Sequence, residues 1–90
     1  MKISNFTNSK GNKVANQFII NDSEFTLFQS YDSVIIKTTF EGGKRVVYLD
    51  SYYWDYSKTT GKYRNLFLGE SKKETQNKIN NNIYKLTNLN

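Results

Sequence analysis

The chain has 90 residues, a formal charge of +5, and no Cys, His or Pro, yet it carries seven Tyr, six Phe and one Trp. The missing Cys and His exclude disulfides, Cys/His metal sites, a His general base and a Cys nucleophile. No stretch approaches the roughly 18 apolar residues of a membrane span, and no apolar run of signal-peptide length follows Met1-Lys2-Ile3-Ser4-Asn5-Phe6. The expectation is therefore a single cytoplasmic domain over residues 1–90, folded around its aromatic residues and acting away from membranes.

In chain order, residues 1–16 are polar and read partly as loop, with Asn8-Ser9-Lys10-Gly11-Asn12 as a turn. Residues 17–50 are β-rich. A first strand spans Gln17 to Asn21, closed by Asn21-Asp22-Ser23, and a second spans Glu24 to Gln29, closed by Ser30-Tyr31-Asp32-Ser33. The third, Ser33 to Phe40, places Val34, Ile36, Thr38 and Phe40 on one face. Through Glu41-Gly42-Gly43-Lys44 it reaches a fourth, Arg45 to Asp50. A Gly-Gly pair between β-branched runs is a hairpin signal, and hairpins imply antiparallel pairing. Ile35, Val47 and Leu49 leave apolar residues on both faces of such a sheet. That pattern calls for cover on both sides, curvature or a second copy, so a homodimer is one expectation.

Residues 51–57 form an aromatic junction. A helix is predicted over 58–68, with Thr59, Tyr63, Leu66 and Phe67 on one face and Gly69 as its C-terminal cap. Ser71-Lys72-Lys73-Glu74 is a capping box, and the helix that it opens is predicted over 72–87, with Thr75, Ile79, Ile83 and Leu86 on one face. About four short antiparallel strands followed by two C-terminal helices packed on the sheet make an α+β fold.

Charge is unevenly placed. Residues 1–57 hold six Lys/Arg and six acids, whereas residues 58–90 hold seven Lys/Arg against Glu70 and Glu74 alone. All of the excess sits in the last third, a pattern that favours an anionic partner and that an AT-rich genome, inflating Lys and Asn together, also produces. The densest run is Tyr52-Tyr53-Trp54-Asp55-Tyr56-Ser57-Lys58-Thr59-Thr60-Gly61-Lys62-Tyr63-Arg64. Rings stack on bases while cations track phosphates, and aromatic and Arg side chains equally anchor protein interfaces. The candidate partner-binding residues are Tyr52, Tyr53, Trp54, Lys58, Lys62 and Arg64, with Lys72 and Lys73. The competing reading makes Tyr52, Trp54 and Tyr56 a plug between sheet and helices.

Catalytic readings have little to work with. Thr60-Gly61-Lys62 lacks the first Gly and the Ser/Thr of a phosphate loop, and Asp50 and Asp55 read as turn formers rather than cation ligands. No cofactor, metal site or catalytic residue is expected. Ser30-Tyr31-Asp32-Ser33 reads as a turn whose side chains bond local backbone.

Three stretches carry a resemblance: Gly11-Asn12-Lys13-Val14-Ala15-Asn16-Gln17-Phe18, Phe28-Gln29-Ser30-Tyr31-Asp32-Ser33, and the run from Leu49 through Trp54-Asp55-Tyr56-Ser57-Lys58-Thr59-Thr60-Gly61-Lys62-Tyr63-Arg64 to Phe67-Leu68-Gly69-Glu70. Together they resemble a family of small, largely uncharacterised domains encoded by phages and mobile elements of low-GC Gram-positive bacteria. The resemblance implies a non-enzymatic inhibitor of host defence in the host bacterial cytoplasm, such as an anti-CRISPR protein, acting on a protein or nucleoprotein effector. The alternatives are a small basic domain that contacts DNA or RNA directly and a structural or assembly module of a phage particle.

Overall fold

The computed structural model describes residues 1–90. The elements are β1 (Lys2–Thr7), β2 (Lys13–Asn21), β3 (Phe25–Ser30), β4 (Ser33–Glu41), β5 (Lys44–Asp50), α1 (Lys58–Leu68), α2 (Lys72–Asn80) and β6 (Tyr84–Thr87). The α+β class stands, but the sheet has six strands rather than four, in the order β1-β2-β3-β4-β5-β6. The first five form an antiparallel meander, while β6 runs parallel to β5. Parallel neighbours need a long crossover, and here the junction and both helices supply it. No helix is long and apolar enough to cross a membrane.

The hairpins follow local chemistry. Gly42 and Gly43 both take positive φ, 59° and 80°, and join β4 to β5 in a two-residue turn between the paired Glu41 and Lys44. Tyr31 and Asp32 join β3 to β4, with Tyr31 at φ 54° and its N–H donating to the Asn16 carbonyl at 2.7 Å. In the turn after β1, the Asn8 side chain accepts from the Lys10 and Asn12 N–H groups, so its bonds replace a backbone turn.

Two segments depart from the sequence reading. Residues 1–16, expected to be partly loop, hold β1 and the first four residues of β2. The helix expected over 72–87 ends at Asn80: Asn81 caps it, Asn82 adopts φ 59°, and the chain returns as β6. Asn tolerates the left-handed region better than other residues with a side chain, and here it stops the helix. Ile83 and Leu86 consequently leave the predicted helical face and lie exposed.

Cross-strand partners share a sheet face, so the register assigns each side chain. Phe28 pairs with Ile19 and Ile36, and Ile36 pairs with Leu49. That face carries the core of Phe6, Phe28, Ile35, Ile36, Val47 and Leu49, closed by Tyr63 and Tyr84. The register shift beside Phe28 and Gln29 is a bulge in β4, and the adjacent Ile35 and Ile36 are both fully buried. From α1, Tyr63 meets Phe6 at 5.2 Å and Phe67 stacks on Phe28 at 5.9 Å between ring centroids. Such pairs contribute about 0.5–1.5 kcal/mol beyond area burial.

The opposite face carries half-buried Phe18, Ile20, Phe25, Leu27, Val46 and Tyr48, and no helix covers it. Part of it meets the C-terminal residues. Asn90 closes a two-bond ring with Val34, its amide donating to the Val34 carbonyl and its oxygen accepting from the Val34 N–H.

Candidate functional site: the tyrosine junction and the outward face of α1

The junction starts from a buried carboxylate. Asp50, 2% exposed at the end of β5, accepts from the backbone N–H groups of Tyr52, Tyr53 and Leu89 and from the Asn90 amide, at 2.8–3.1 Å. Burial alone would raise its pKa, but four donors outweigh it and hold the group below the ordinary carboxylate range. This one side chain thus bends the chain out of β5 and ties the C-terminus to the same point. Its role is that of the turn former expected from sequence.

Arg64 is the second organising group, and the structure corrects its assignment as a partner-binding residue. It is 1% exposed and fully engaged. One terminal nitrogen donates to the Trp54 carbonyl at 2.8 Å and to Asp55 Oδ1 at 3.1 Å, while Nε and the other terminal nitrogen both donate to Asn65 Oδ1. The guanidinium also lies 5.3 Å from the Trp54 ring. A Cβ at Gly61 would meet the guanidinium at 3.5 Å, an ordinary van der Waals contact. The buried face of α1 therefore comprises Thr60, Gly61, Tyr63 and Arg64, with Phe67 half-buried, and the predicted members Thr59 and Leu66 are exposed. An arginine on the buried side of a helix escapes a pattern search that scores cations as surface.

Trp54 is half-buried against the core, which is the plug reading. Tyr53 is half-buried too, but it belongs to a cluster that reaches the surface. Ring centroids of Tyr52, Tyr53 and Tyr56 lie 4.7, 5.2 and 5.9 Å apart, and Tyr52 and Tyr56 are 69% and 63% exposed. Two of the three plug residues thus face solvent.

Helix α1 begins where the cluster ends. Ser57 accepts from the Thr60 N–H at 3.1 Å, and Gly69 closes the helix in the left-handed conformation at φ 68°. Both ends fall where the sequence predicts. Lys58 and Lys62 are exposed and line an open groove of about 990 Å³ with Asp55, Arg64, Glu70 and Lys72. The three salt bridges of the chain engage Arg64, Lys72 and Lys78, which leaves Lys58, Lys62 and Lys73 unpaired. Lys72 reaches Asp55 at 2.7 Å and Lys73 stands exposed on α2 outside the groove. Lys58, Lys62 and Lys72 thus line one groove, Tyr53 and Tyr56 line a neighbouring pocket that shares Ser57 with it, and Lys73 belongs to neither.

The acids of the groove are neutralised from within. Burial pushes the Asp55 carboxyl up, but Lys72 and Arg64 pull it below its ordinary value. Burial acts likewise on Glu70, yet Lys78, Thr75 and the Tyr84 hydroxyl donate to it at 2.6–2.7 Å and lower it. What the groove offers outward is the free cations.

The plug reading placed Tyr56 between sheet and helices, whereas it is exposed and packs with Tyr52 and Tyr53. The signal was the 52, 53, 56 spacing of three identical side chains.

The chain belongs to a family of unknown function, DUF8033, whose model matches residues 1–82. Neither the curated proteins nor the solved structures contain a match to it.

Proposed function

We propose that this protein is a non-enzymatic binding domain of the cytoplasm that contacts single-stranded nucleic acid through the Tyr52/Tyr53/Tyr56 cluster and the outward face of α1. The observation that carries the reading is the adjacency of an exposed tyrosine cluster and two unpaired lysines, Lys58 and Lys62, at the start of one helix. Tyrosine rings present π-faces to bases, and each such stack is worth about 1–3 kcal/mol whatever the sequence. Lysines beside them follow the phosphates without specifying a base. The net charge of +5 speeds encounter with a polyanion.

A salt titration of binding to labelled single- and double-stranded DNA and RNA tests this. The expected result is preference for single strands and affinity that falls steeply with salt. For Lys58→Glu/Lys62→Glu the slope falls by about 0.7 per lost phosphate contact. Absent or salt-insensitive binding at low ionic strength overturns the reading.

The second reading is an inhibitor that docks the same surface on a host-defence nucleoprotein, as the phage-type resemblance implies. Exposed Leu66 within the lysine groove favours it, because an apolar side chain gains from burial against a protein face and nothing from a phosphate backbone. Co-purification with CRISPR effectors and rescue of phage plating support this reading, and failure of both removes it.

A further inference from the structure

Beside the tyrosine cluster lies a smaller and deeper pocket of about 390 Å³, between the β3–β4 turn and the start of α1. It falls at the low end of the roughly 300–1,000 Å³ typical of small-molecule sites. Two separate segments supply its aromatic walls: Tyr31 comes from the hairpin, and Tyr53 and Tyr56 from the junction. Ser30, Ser33, Ser57, Thr59 and Thr60 add hydroxyl side chains and Ile35 an apolar one, and no charged side chain lines it.

Its polar groups divide into committed and free. Ser30 and Thr60 share a buried hydrogen bond at 3.1 Å, and Ser57 donates to Thr60 at 3.2 Å. Among the tyrosine hydroxyls only those of Tyr48 and Tyr84 bond within the chain, so those of Tyr31, Tyr53 and Tyr56 are free for a ligand. Behind the lining, Gln17 is the cross-strand partner of Ser30. It is 1% exposed, and neither its amide nitrogen nor its oxygen has a partner. Buried polar groups are nearly always bonded, and Gln17, which does not itself line the pocket, is an exception beneath it.

We propose that this pocket receives one unstacked nucleobase. The chemistry matches on three counts. The site is uncharged, as a base is; its walls are rings that stack; and its remaining groups are neutral donors and acceptors of the kind that read a base edge. Tyr53 and Tyr56 belong to both the pocket and the surface cluster, so a strand tracking along Lys58 and Lys62 has a side entrance for one of its bases. This inference rests on the nucleic-acid reading above and adds a base-specific subsite to it. Tyr31 contributes to the pocket and stands outside the cluster, which makes it the residue to change. Its φ of 54° suits Asn, so Tyr31→Asn removes the ring without straining the turn.

The experiment measures binding of a labelled single-stranded dodecamer across a salt series, for wild type, Tyr31→Asn and Lys58→Glu/Lys62→Glu. An otherwise identical strand with abasic positions serves as second probe, and circular dichroism verifies that each variant is folded. For Tyr31→Asn the expected result is about a five- to hundredfold loss of affinity, the effect of one lost stack, with an unchanged salt slope. The abasic strand loses more than this on wild type, because its stacks on the surface tyrosines go too, and it shows no further loss on the variant. Wild-type affinity in Tyr31→Asn overturns the pocket while leaving the surface reading intact. Absence of any strand binding by wild type overturns both.

Discussion

Arg64 and Lys62 stand two residues apart on one helix, and they do opposite things. Arg64 is buried with every nitrogen engaged by Trp54, Asp55 or Asn65, whereas Lys62 is exposed and unpaired, its ammonium 5.4 Å from the Tyr63 ring. The difference follows from helix geometry and from the shape of the two cations. Position 64 falls on the sheet-facing side, where a planar fork of five donors satisfies several fixed acceptors at once. Position 62 faces water, where a hydrated ammonium on a flexible stem stays available. A basic count along the sequence merges the two classes, yet only the second is free to meet a partner.

Changes at four sites break or sharpen this comparison, taken from the largest effect on stability to the smallest. Arg64→Ala removes a fully buried side chain together with four charge-assisted hydrogen bonds and is expected to cost about 3–5 kcal/mol in urea unfolding. Arg64→Lys recovers little of that, because an ammonium does not reproduce the fork. If Arg64→Ala instead unfolds like wild type while binding is lost, the buried assignment is wrong.

Asp50→Ala follows, with a loss of about 3 kcal/mol and faster backbone hydrogen exchange at Tyr52, Tyr53 and Leu89, since four donors lose one acceptor. The same carboxylate predicts a pH response. Its folded pKa is depressed, as are those of Asp55 and Glu70, so the unfolded chain binds more protons in acid. Their contribution is fully present above the unfolded value of about 4 and is lost as pH falls through the lower folded values. Thermal unfolding followed from pH 7 to 2 should therefore show Tm dropping below about pH 4, less steeply in Asp50→Asn.

Gln17→Met tests the other kind of buried polar group. The side chain keeps its shape and sheds two atoms without partners, so a gain of about 1 kcal/mol is expected in the same urea experiment. A loss instead means that an internal partner, such as an ordered water, holds the amide. The smallest change in stability, within about 0.5 kcal/mol, is expected for Lys58→Glu/Lys62→Glu, the pair whose effect on binding should be the largest.

Much of the fold was legible wherever one residue type settles a local question. Ser57 and Gly69 mark both ends of α1, Ser71 and Glu74 close a capping box whose two bonds are present, and Gly42-Gly43 makes the hairpin. Less was legible at the sheet edges. β1 carries Lys2, Ser4, Asn5 and Thr7, and only its pairing with β2 makes it a strand. β6 has the apolar spacing of a helix continued from α2, and its hydrogen bonds to β5 decide otherwise. Of the candidate site, Tyr52, Tyr53, Lys58 and Lys62 were readable from their crowding in sequence, while Tyr31 entered only through the third dimension.

Caps and turns were determined by sequence alone, because each depends on bonds between residues within about four positions of one another, and the α+β class was legible from strand patterns followed by helix patterns. Tertiary structure decided the strand count, the end of α2 and the sorting of the cations. Those depend on which backbone groups find partners in other strands, as Lys2 does with Asn21 and Val47 with Tyr84, and on which helix face meets the sheet. A buried arginine and an exposed lysine carry the same charge, and only the surroundings that the fold provides tell them apart.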